Sequence, residues 1–279
     1  LEKEGIKFLM KVPGLNQVVL NKVKTELINA FGGEVYEVII GGAAFNKEVE
    51  AFFKKMEFPF TVGYGMTECA PIITYDDWKV EKLYSCGKAA PNMEVRIESK
   101  DPVNIPGEIQ VKGANVFLGY FKNEEATAEV FTEDGWFRTG DMGVLDTDGS
   151  LFIKGRTKCM ILGPSGQNIY PEEIENVINN VEGVSESIVV ERDGRLVALV
   201  APQENFIQWD KEGEDKLYEK LDAWKKKLLS ITNKNVSKAS QVSSVEVMKE
   251  PFEKTATQKI RRFKYKDSAP TVEEERKEN

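Results

Sequence analysis

A strand–helix–strand pattern in the first quarter of the chain restricts its fold more than any other feature. Residues 35–45, VYEVIIGGAAF, form a Val- and Ile-rich run that breaks at Gly41 and Gly42, which predicts a buried strand. Asn46 then caps a predicted helix in NKEVEAFFKKME, and the apolar run FPFTVGYG follows. This order predicts a parallel unit, and open parallel sheets bind ligands at the carboxyl ends of their strands. The turns at 41–42 and 63–65 therefore lie on the predicted binding edge.

The rest of the chain divides into two further parts. From about residue 74, the alternating segments MEVRIES, GEIQVKG, VFLGYF and SLFIKG predict a small antiparallel β subdomain. After KGRTK, PEEIENVINNVEG predicts a helix, and Asp193-Gly194 between β-branched runs predicts a hairpin. The predicted fold class is α/β and α+β: a parallel α/β part at 1–73, the β subdomain at 74–154, a hinge at 155–158 and a separate small α+β domain at 159–279.

One amphipathic helix is predicted inside the last domain. DKLYEKLDAWKKKLLSIT places an apolar stripe on one helical face, at Leu217, Leu221, Trp224 and Leu228. Such a stripe normally covers the domain's own sheet, and we favour this over a partner-binding helix. The final segment, TVEEERKEN, is polar and charged, which predicts a disordered tail.

Composition narrows the possible functions. A chain without histidine cannot use a His general base or a Ser-His-Asp relay, so catalysis would rely on lysine, carboxylates and backbone. A net charge of −8 argues against a nucleic-acid or anionic-membrane binder, although a local basic patch could hold phosphates. No apolar run could span a bilayer, and peripheral membrane contact stays open. The spacings of Cys69, Cys86 and Cys159 fit neither a zinc site nor a disulfide framework, which favours the cytoplasm.

Two segments that follow predicted strands carry groups suited to a nucleotide. In YGMTE (64–68), Thr67 could donate to a phosphate, Glu68 could hold magnesium and Gly65 would allow close backbone approach. An ordinary turn with an exposed glutamate explains this pentapeptide, taken alone, better. WFRTGDMG (136–143) predicts a tight Thr-Gly-Asp turn that points Asp141 outward to accept from two ribose hydroxyls. An Asx-type hairpin turn would also satisfy this carboxylate.

Three later segments carry glycine or positive charge. GRTK (155–158) places Arg156, whose planar fork suits ribose or phosphate, beside Lys158 at a bending linker, although short basic pairs are usually solvated. Gly163 and Gly166 form a loop able to lie against a ligand. PFEKTATQKI (251–260) presents Lys259 in a Thr-rich loop, at the head of a basic cluster: Lys259, Arg261, Arg262, Lys264 and Lys266.

Taken in order, these segments resemble the adenylate-forming superfamily of acyl-CoA synthetases, luciferases and peptide-synthetase adenylation domains. GGAAF, with Gly41, Gly42 and Ala43, resembles the adenine-pocket turn, and YGMTE, which begins at Tyr64, the phosphate and magnesium segment. RTGD resembles the ribose-binding carboxylate, GRTK the hinge, SGQNIYPEEIE the loop after it and PFEKTATQKI the catalytic-lysine loop. The resemblance runs from about residue 33 to 266, and six motifs in order are specific where one would be weak.

The resemblance implies an enzyme, a long-chain fatty acid–CoA ligase of the AMP-forming type. A carboxylate would attack ATP to give acyl-AMP and pyrophosphate, with magnesium bound at Glu68, and coenzyme A would then displace AMP. Lys259, Thr67 and Glu68 would be catalytic. The small domain would rotate at Lys158, presenting Lys259 in the first step and the loop at 163–166 in the second.

The sequence departs from the family at two places. A phosphate loop normally lies upstream of GGA and is not found here, so the chain resembles a carboxyl-terminal portion and is expected to be inactive alone. Gln258 stands where the family has glycine, which makes positive φ less accessible. The alternatives are a noncatalytic nucleotide-binding fragment, adenylation of an aryl or amino acid for a carrier protein, and an RNA-binding protein using the basic cluster.

Overall fold

The computed structural model describes residues 15–207, 214–256, 258–267 and 269–272. Two compact units divide between Ile153 and Lys154. The amino-terminal unit contains α1 (Leu15–Ala30), β1 (Val38–Ile40), α2 (Lys47–Lys55), β2 (Phe60–Val62), β3 (Tyr64–Gly65), β4 (Ile72–Tyr75), β5 (Lys88–Ala89), β6 (Met93–Glu98), β7 (Gly107–Gly113), α3 (Glu124–Val130) and β8 (Phe137–Leu145). Strand β9 (Leu151–Arg156) crosses the division. The carboxyl-terminal unit contains β10 (Ile161–Leu162), β11 (Asn168–Ile169), α4 (Pro171–Ile178), β12 (Val184–Arg192), β13 (Arg195–Pro202), α5 (Glu214–Asn235) and β14 (Ser244–Val247).

The predicted strand–helix–strand unit is confirmed. β1 and β2 pair in parallel, with Val38 opposite Phe60. Helix α2 begins where Asn46 Oδ1 accepts from the N–H groups of Glu48 and Val49, at 3.0 and 3.1 Å, which satisfies two donors that the helix itself cannot pair. The unit packs on a cluster of buried side chains: Leu20, Met56, Phe58, Phe60 and Val62.

The first strand is shorter and more exposed than its apolar sequence predicts. It spans only Val38–Ile40, and the side chain of Ile39 is 57% exposed. Within the described residues, β1 and β2 form a two-stranded sheet, and Val38 and Ile40 pack half-buried against the cluster that holds Leu20. The intervening side chain points to the other face, because successive strand residues alternate. The prediction of a buried strand was therefore wrong for Ile39.

The β subdomain is confirmed as an antiparallel sheet in the order β6-β7-β8-β9, beside a smaller sheet β3-β4-β5. VFLGYF, at 116–121, was wrongly predicted as a strand, because it lies in turns between β7 and α3. Phe117 packs against Phe131 and Phe137, with ring centroids 5.9 and 5.3 Å apart, whereas Leu118 is fully exposed. The packing of Phe117, together with hydrogen bonds from the Phe117 N–H to the Glu68 carbonyl at 2.8 Å and from the Tyr120 N–H to Thr127 Oγ1 at 2.9 Å, therefore fixes this segment in place of a strand ladder.

The carboxyl-terminal unit is an α+β structure around the sheet β12-β13-β14. The predicted hairpin is confirmed, with Asp193 and Gly194 at φ +51° and +71°, as a type I′ turn requires. Helix α5 buries Leu221, Trp224 and Leu228 in the unit's core, and Leu217 packs beside them, which confirms the core assignment of the stripe: Leu217, Leu221, Trp224 and Leu228. Strand β14 pairs in parallel with β13 and was not predicted. The predicted disordered tail lies largely outside the described residues, which end at Val272.

Candidate active site

The two glycine turns of the parallel unit adjoin at one edge of the sheet. β1 ends at Ile40 and β2 at Val62, and the Gly63 N–H donates to the Ile40 carbonyl at 2.8 Å. A Cβ added to Gly41 would lie 3.2 Å from the Gly63 carbonyl oxygen, so a side chain there would crowd the neighbouring turn. Gly42 has φ +87°, a conformation that L side chains rarely adopt. The exposed turn Gly41, Gly42 and Ala43 is thus a glycine-dependent backbone surface at the carboxyl ends of the two strands, and its contact with a nucleotide stays a prediction.

Asp141 lies at a bulge in β8 rather than in the tight turn predicted from the sequence. The pairing with β7 shifts register here, and Gly140 has φ +72°. The backbone can make this irregularity inside a strand because glycine accepts a positive φ. Thr139 Oγ1 accepts from the Asp141 N–H at 3.1 Å and donates to the Ile109 carbonyl at 2.8 Å, which fixes the bulge. The predicted turn was wrong, because pairing with β7 continues on both sides of Gly140.

A hydrogen bond joins two of the predicted nucleotide-binding segments. The Tyr64 hydroxyl, at the start of YGMTE, donates to Asp141 Oδ2 at 2.6 Å, across 77 residues of sequence. Both residues are buried, at 8% and 7% exposure, so the prediction that Asp141 points outward was wrong. Burial raises the pKa of Tyr64, and the charge of Asp141 raises it further, so the phenol stays a donor. The Asp141 carboxylate is therefore held at a fixed position beside the carboxyl end of β2.

Thr67 and Glu68 lie in a short 3₁₀ turn, Thr67–Cys69. The Thr67 side chain is exposed, and Glu68 Oε1 accepts from the Tyr120 hydroxyl at 3.1 Å. No group of three or more potential metal ligands occurs among the described residues. Magnesium in a nucleotide site needs only one or two protein carboxylates, because water and phosphate oxygens complete its octahedron. Glu68 fits that donor set. Sequence reasoning missed Tyr120, although the aromatic segment that carries it was noted.

Gly65 has a structural reason to be glycine. A Cβ at this position would lie 2.0 Å from the Pro71 carbonyl oxygen, and Met66 N–H donates to that same oxygen at 2.8 Å. The close approach inside this turn requires glycine whether or not a ligand binds. The structure therefore accounts for Gly65 by packing, and its contact with a phosphate stays a prediction.

Lys259 lies in a narrow loop of the carboxyl-terminal unit. Lys254 and Ile260 form an antiparallel bridge at the base of the loop, and the Thr255 N–H donates to the Lys259 carbonyl at 2.8 Å. Gln258 adopts φ +61° and so takes the conformation that glycine would adopt more readily. The Lys259 side chain is exposed, and its ammonium group forms no ion pair with the residues that the structure describes.

The remaining predicted residues of this unit lie near its amino end. Arg156 ends β9 and Lys158 lies in the 3₁₀ turn Thr157–Cys159, both with exposed side chains. Gly163 and Gly166 lie in the loop of the β10–β11 hairpin, where Gly166 has φ +78°. At Gly163 a Cβ would lie 2.5 Å from Nε2 at the end of the flexible Gln167 side chain, so a larger residue would require that side chain to shift. The hinge at 155–158 stays a prediction.

Two members of the basic cluster are engaged in ion pairs. Arg262 pairs with the buried Glu175, and Lys264 Nζ lies 2.5 Å from Glu253 Oε2. These two charges serve the unit's own structure. The solvated or structural alternative is thus the better account for Arg262 and Lys264.

Comparison with known proteins identifies a family and individual proteins that this chain is similar to. The profile of the family described as "AMP-binding enzyme" matches residues 1–121. A 2-succinylbenzoate–CoA ligase from Listeria innocua is 38% identical over 199 residues, covering 67% of this chain and 41% of its own length. A long-chain-fatty-acid–CoA ligase from Rattus norvegicus is 30% identical over 246 residues, covering 86% of this chain and 35% of its own length.

A solved structure supports the same relationship. The O-succinylbenzoate coenzyme A synthetase of Bacillus subtilis, in complex with ATP and magnesium ion, superposes with a TM-score of 0.69 at 26% identity, covering 87% of this chain and 50% of its own. The chain belongs to the superfamily of AMP-binding enzymes. It spans less than half the length of the two curated relatives. In the part of the chain that the structure describes, no helix is long and apolar enough to cross a membrane.

Proposed function

We propose that this chain is part of an AMP-forming acid–CoA ligase. It would carry the nucleotide-binding turns that follow β1 and β2, and the lysine that acts in adenylation, Lys259. The observation that carries this proposal is the hydrogen bond between Tyr64 and Asp141 beside the turns that follow β1 and β2. It brings together segments that the resemblance assigns to one nucleotide. The relatives named above, all CoA ligases or synthetases, support the reaction class.

In the first half-reaction, a carboxylate oxygen bonds to the α-phosphorus of ATP and pyrophosphate leaves, giving acyl-AMP. Both reactants are anions, so a cation that contacts both lowers the barrier by screening and by orientation. The exposed Lys259 ammonium would be this cation. It would act through its charge without transferring a proton, so the step would need no histidine, and the chain contains none. Asp141 would accept from the ribose hydroxyls, Thr67 would donate to a phosphate oxygen, and Gly41, Gly42 and Ala43 would border the adenine. A magnesium ion at Glu68 would add positive charge at the phosphates.

In the second half-reaction, the thiol of coenzyme A attacks the acyl carbonyl and AMP leaves. Lys259 would not be needed for this step, because the acyl group has already been joined to AMP and no carboxylate has to approach a polyphosphate. We propose that rotation at Lys158 replaces the Lys259 loop with the β10–β11 loop, which carries Gly163 and Gly166. Arg156, next to this hinge, would contact ribose or phosphate through its planar guanidinium.

A fatty acid is the carboxylate that we propose, because the segment GYFKNEEATAEVF resembles the fatty acyl branch and a long-chain ligase aligns with 86% of the chain. An aromatic carboxylate is the second candidate. The 2-succinylbenzoate–CoA ligase favours it, at 38% identity over a shorter alignment.

The test is carboxylate-dependent ATP–pyrophosphate exchange by the longest natural polypeptide that contains this sequence. Fatty acids of increasing length, 2-succinylbenzoate and amino acids are compared at equal concentration. We expect exchange with one class of acid and acyl-CoA formation once coenzyme A is added. Exchange with amino acids and no CoA product would favour a carrier-protein adenylation domain instead. Nucleotide binding without any exchange would identify a noncatalytic binder and refute the proposal.

A second measurement concerns the 279 residues alone. We expect them to show no exchange, because the family's phosphate loop is not found in this sequence. Carboxylate-dependent exchange by this polypeptide would show that the phosphate loop is dispensable.

A further inference from the structure

Two ion pairs attach the chain on either side of the Lys259 loop to the rest of the carboxyl-terminal unit. We call these flanking segments the first stem, which contains Lys254, and the second stem, which contains Arg262. On the first stem, Lys254 Nζ lies 2.7 Å from Glu186 Oε1 in β12. At the base, Lys254 bridges to Ile260, and Arg261 N–H donates to the Glu253 carbonyl at 2.9 Å. Backbone hydrogen bonds thus hold the two stems together at the base of the loop.

On the second stem, Arg262 forms the more rigid anchor. Its Nη1 donates to Glu175 Oε1 at 2.6 Å and its Nη2 donates to Glu175 Oε2. The Glu175 side chain is only 7% exposed, and its Oε1 also accepts from the Val189 N–H at 2.7 Å. A bidentate pair fixes both distance and orientation. One buried carboxylate therefore ties together the loop stem, helix α4 and strand β12.

Hydrogen bonds within the loop shape its tip. The Gln258 N–H donates to the Thr255 carbonyl at 2.9 Å, and the Lys259 N–H donates to Thr255 Oγ1 at 3.2 Å. These bonds shape the tip but do not fix where it lies on the unit. That position depends on the stems, and the more deeply buried stem contact is the one between Arg262 and Glu175.

We propose that Glu175 and Arg262 are positioning residues that hold Lys259 for the adenylation half-reaction. This inference rests on the proposed function. Neither residue needs to touch substrate, because the pair acts through the loop stem. A misplacement of about 1 Å can cost on the order of 100-fold in rate when a reaction depends on orientation. The thioester step, as proposed, does not use Lys259, so loss of the pair slows only the first half-reaction.

The test compares variants in the longest natural polypeptide that contains this sequence. The double variant Glu175→Gln/Arg262→Met removes the pair without leaving an unpaired buried charge. Arg261→Met is the matched control, since Arg261 is adjacent to Arg262 in the sequence and its own side chain is exposed. We expect the double variant to lose roughly tenfold or more in the turnover of pyrophosphate exchange, with the KM for ATP within about threefold. Thioester formation from preformed acyl-AMP should stay within about twofold, and the control should leave both steps unchanged.

Two further variants keep the inference falsifiable. Arg262→Lys keeps the charge but loses the planar fork, and should give an intermediate loss in exchange alone. Lys254→Met weakens the more exposed stem, so it can be measured even if the double variant does not fold, and it should lower exchange but not thioester formation. Equal losses in both half-reactions, or unchanged exchange in these variants, would overturn the inference. An unmodified protein that shows no exchange would refute the proposed function instead.

Discussion

Removing the Tyr64 hydroxyl tests whether the Asp141 carboxylate is held as the structure indicates. Tyr64→Phe deletes the donor that lies 2.6 Å from Asp141 Oδ2 and leaves a buried acceptor with one partner fewer. Hydrogen bonds to charged groups contribute about 1.5–3 kcal/mol, and phenylalanine keeps the ring packing. We therefore expect the free energy of unfolding of the amino-terminal unit to fall by about 2 kcal/mol.

The chain supplies a matched control for this substitution. Tyr120 also donates to a carboxylate, Glu68, at 3.1 Å, but its side chain is 38% exposed. Water can replace the lost donor there, so Tyr120→Phe should cost about 0.5 kcal/mol or less. The assay is urea unfolding followed by tryptophan fluorescence, in which Trp78 and Trp136 report on the amino-terminal unit. Equal costs for the two variants, or a cost below about 0.5 kcal/mol for Tyr64→Phe, would refute the reasoning.

Three further predictions follow from particular residues. Gln258→Gly should stabilise the carboxyl-terminal unit by about 0.5–1 kcal/mol, because glycine adopts the φ of +61° at this position without the strain of a side chain. Gln258→Ala should give no such gain, and thermal unfolding measures the stability of both variants. Burial raises the pKa of Glu81 to about 7, so the folded state keeps this proton longer than the unfolded state. The contribution of Glu81 to stability should fall by roughly 3 kcal/mol from pH 4.5 to 7 and level off above. Glu81→Gln, which can still accept from Val62 N–H, should remove that contribution, and urea titrations of both proteins at each pH measure the difference. Lys158→Pro should slow the two half-reactions unequally if this residue is a hinge, and equal effects in single-turnover assays would contradict that role.

The sequence predicted those parts of the fold that depend on local chemistry. Asn46 caps a helix by reaching the next N–H groups, and Asp193-Gly194 forms a hairpin turn because both positions need positive φ. The stripe on α5 follows directly from helical periodicity. In each case the information lies within a few residues of the feature that it determines.

Features that depend on distant partners were not predictable in the same way. The bulge at Gly140 exists only through the register with β7. Residues 116–121 have the apolar and aromatic composition of a strand, although only Val116 and Phe117 among them pack against the core cluster that contains Phe137. Strand β14 reaches its place beside β13 only after a long helix intervenes. Likewise, the basic cluster could not be divided by sequence, because the partner of Arg262 is Glu175, far earlier in the chain.

The central claim is that Lys259 acts in adenylation and not in thioester formation. The most direct measurement compares Lys259→Ala with the unmodified protein, in the longest natural polypeptide that contains this sequence. It follows carboxylate-dependent pyrophosphate exchange and, separately, acyl-CoA formation from preformed acyl-AMP. The account predicts that exchange falls by roughly 100-fold or more while acyl-CoA formation stays within about threefold. A variant that loses both half-reactions equally, or that keeps full exchange, would contradict it.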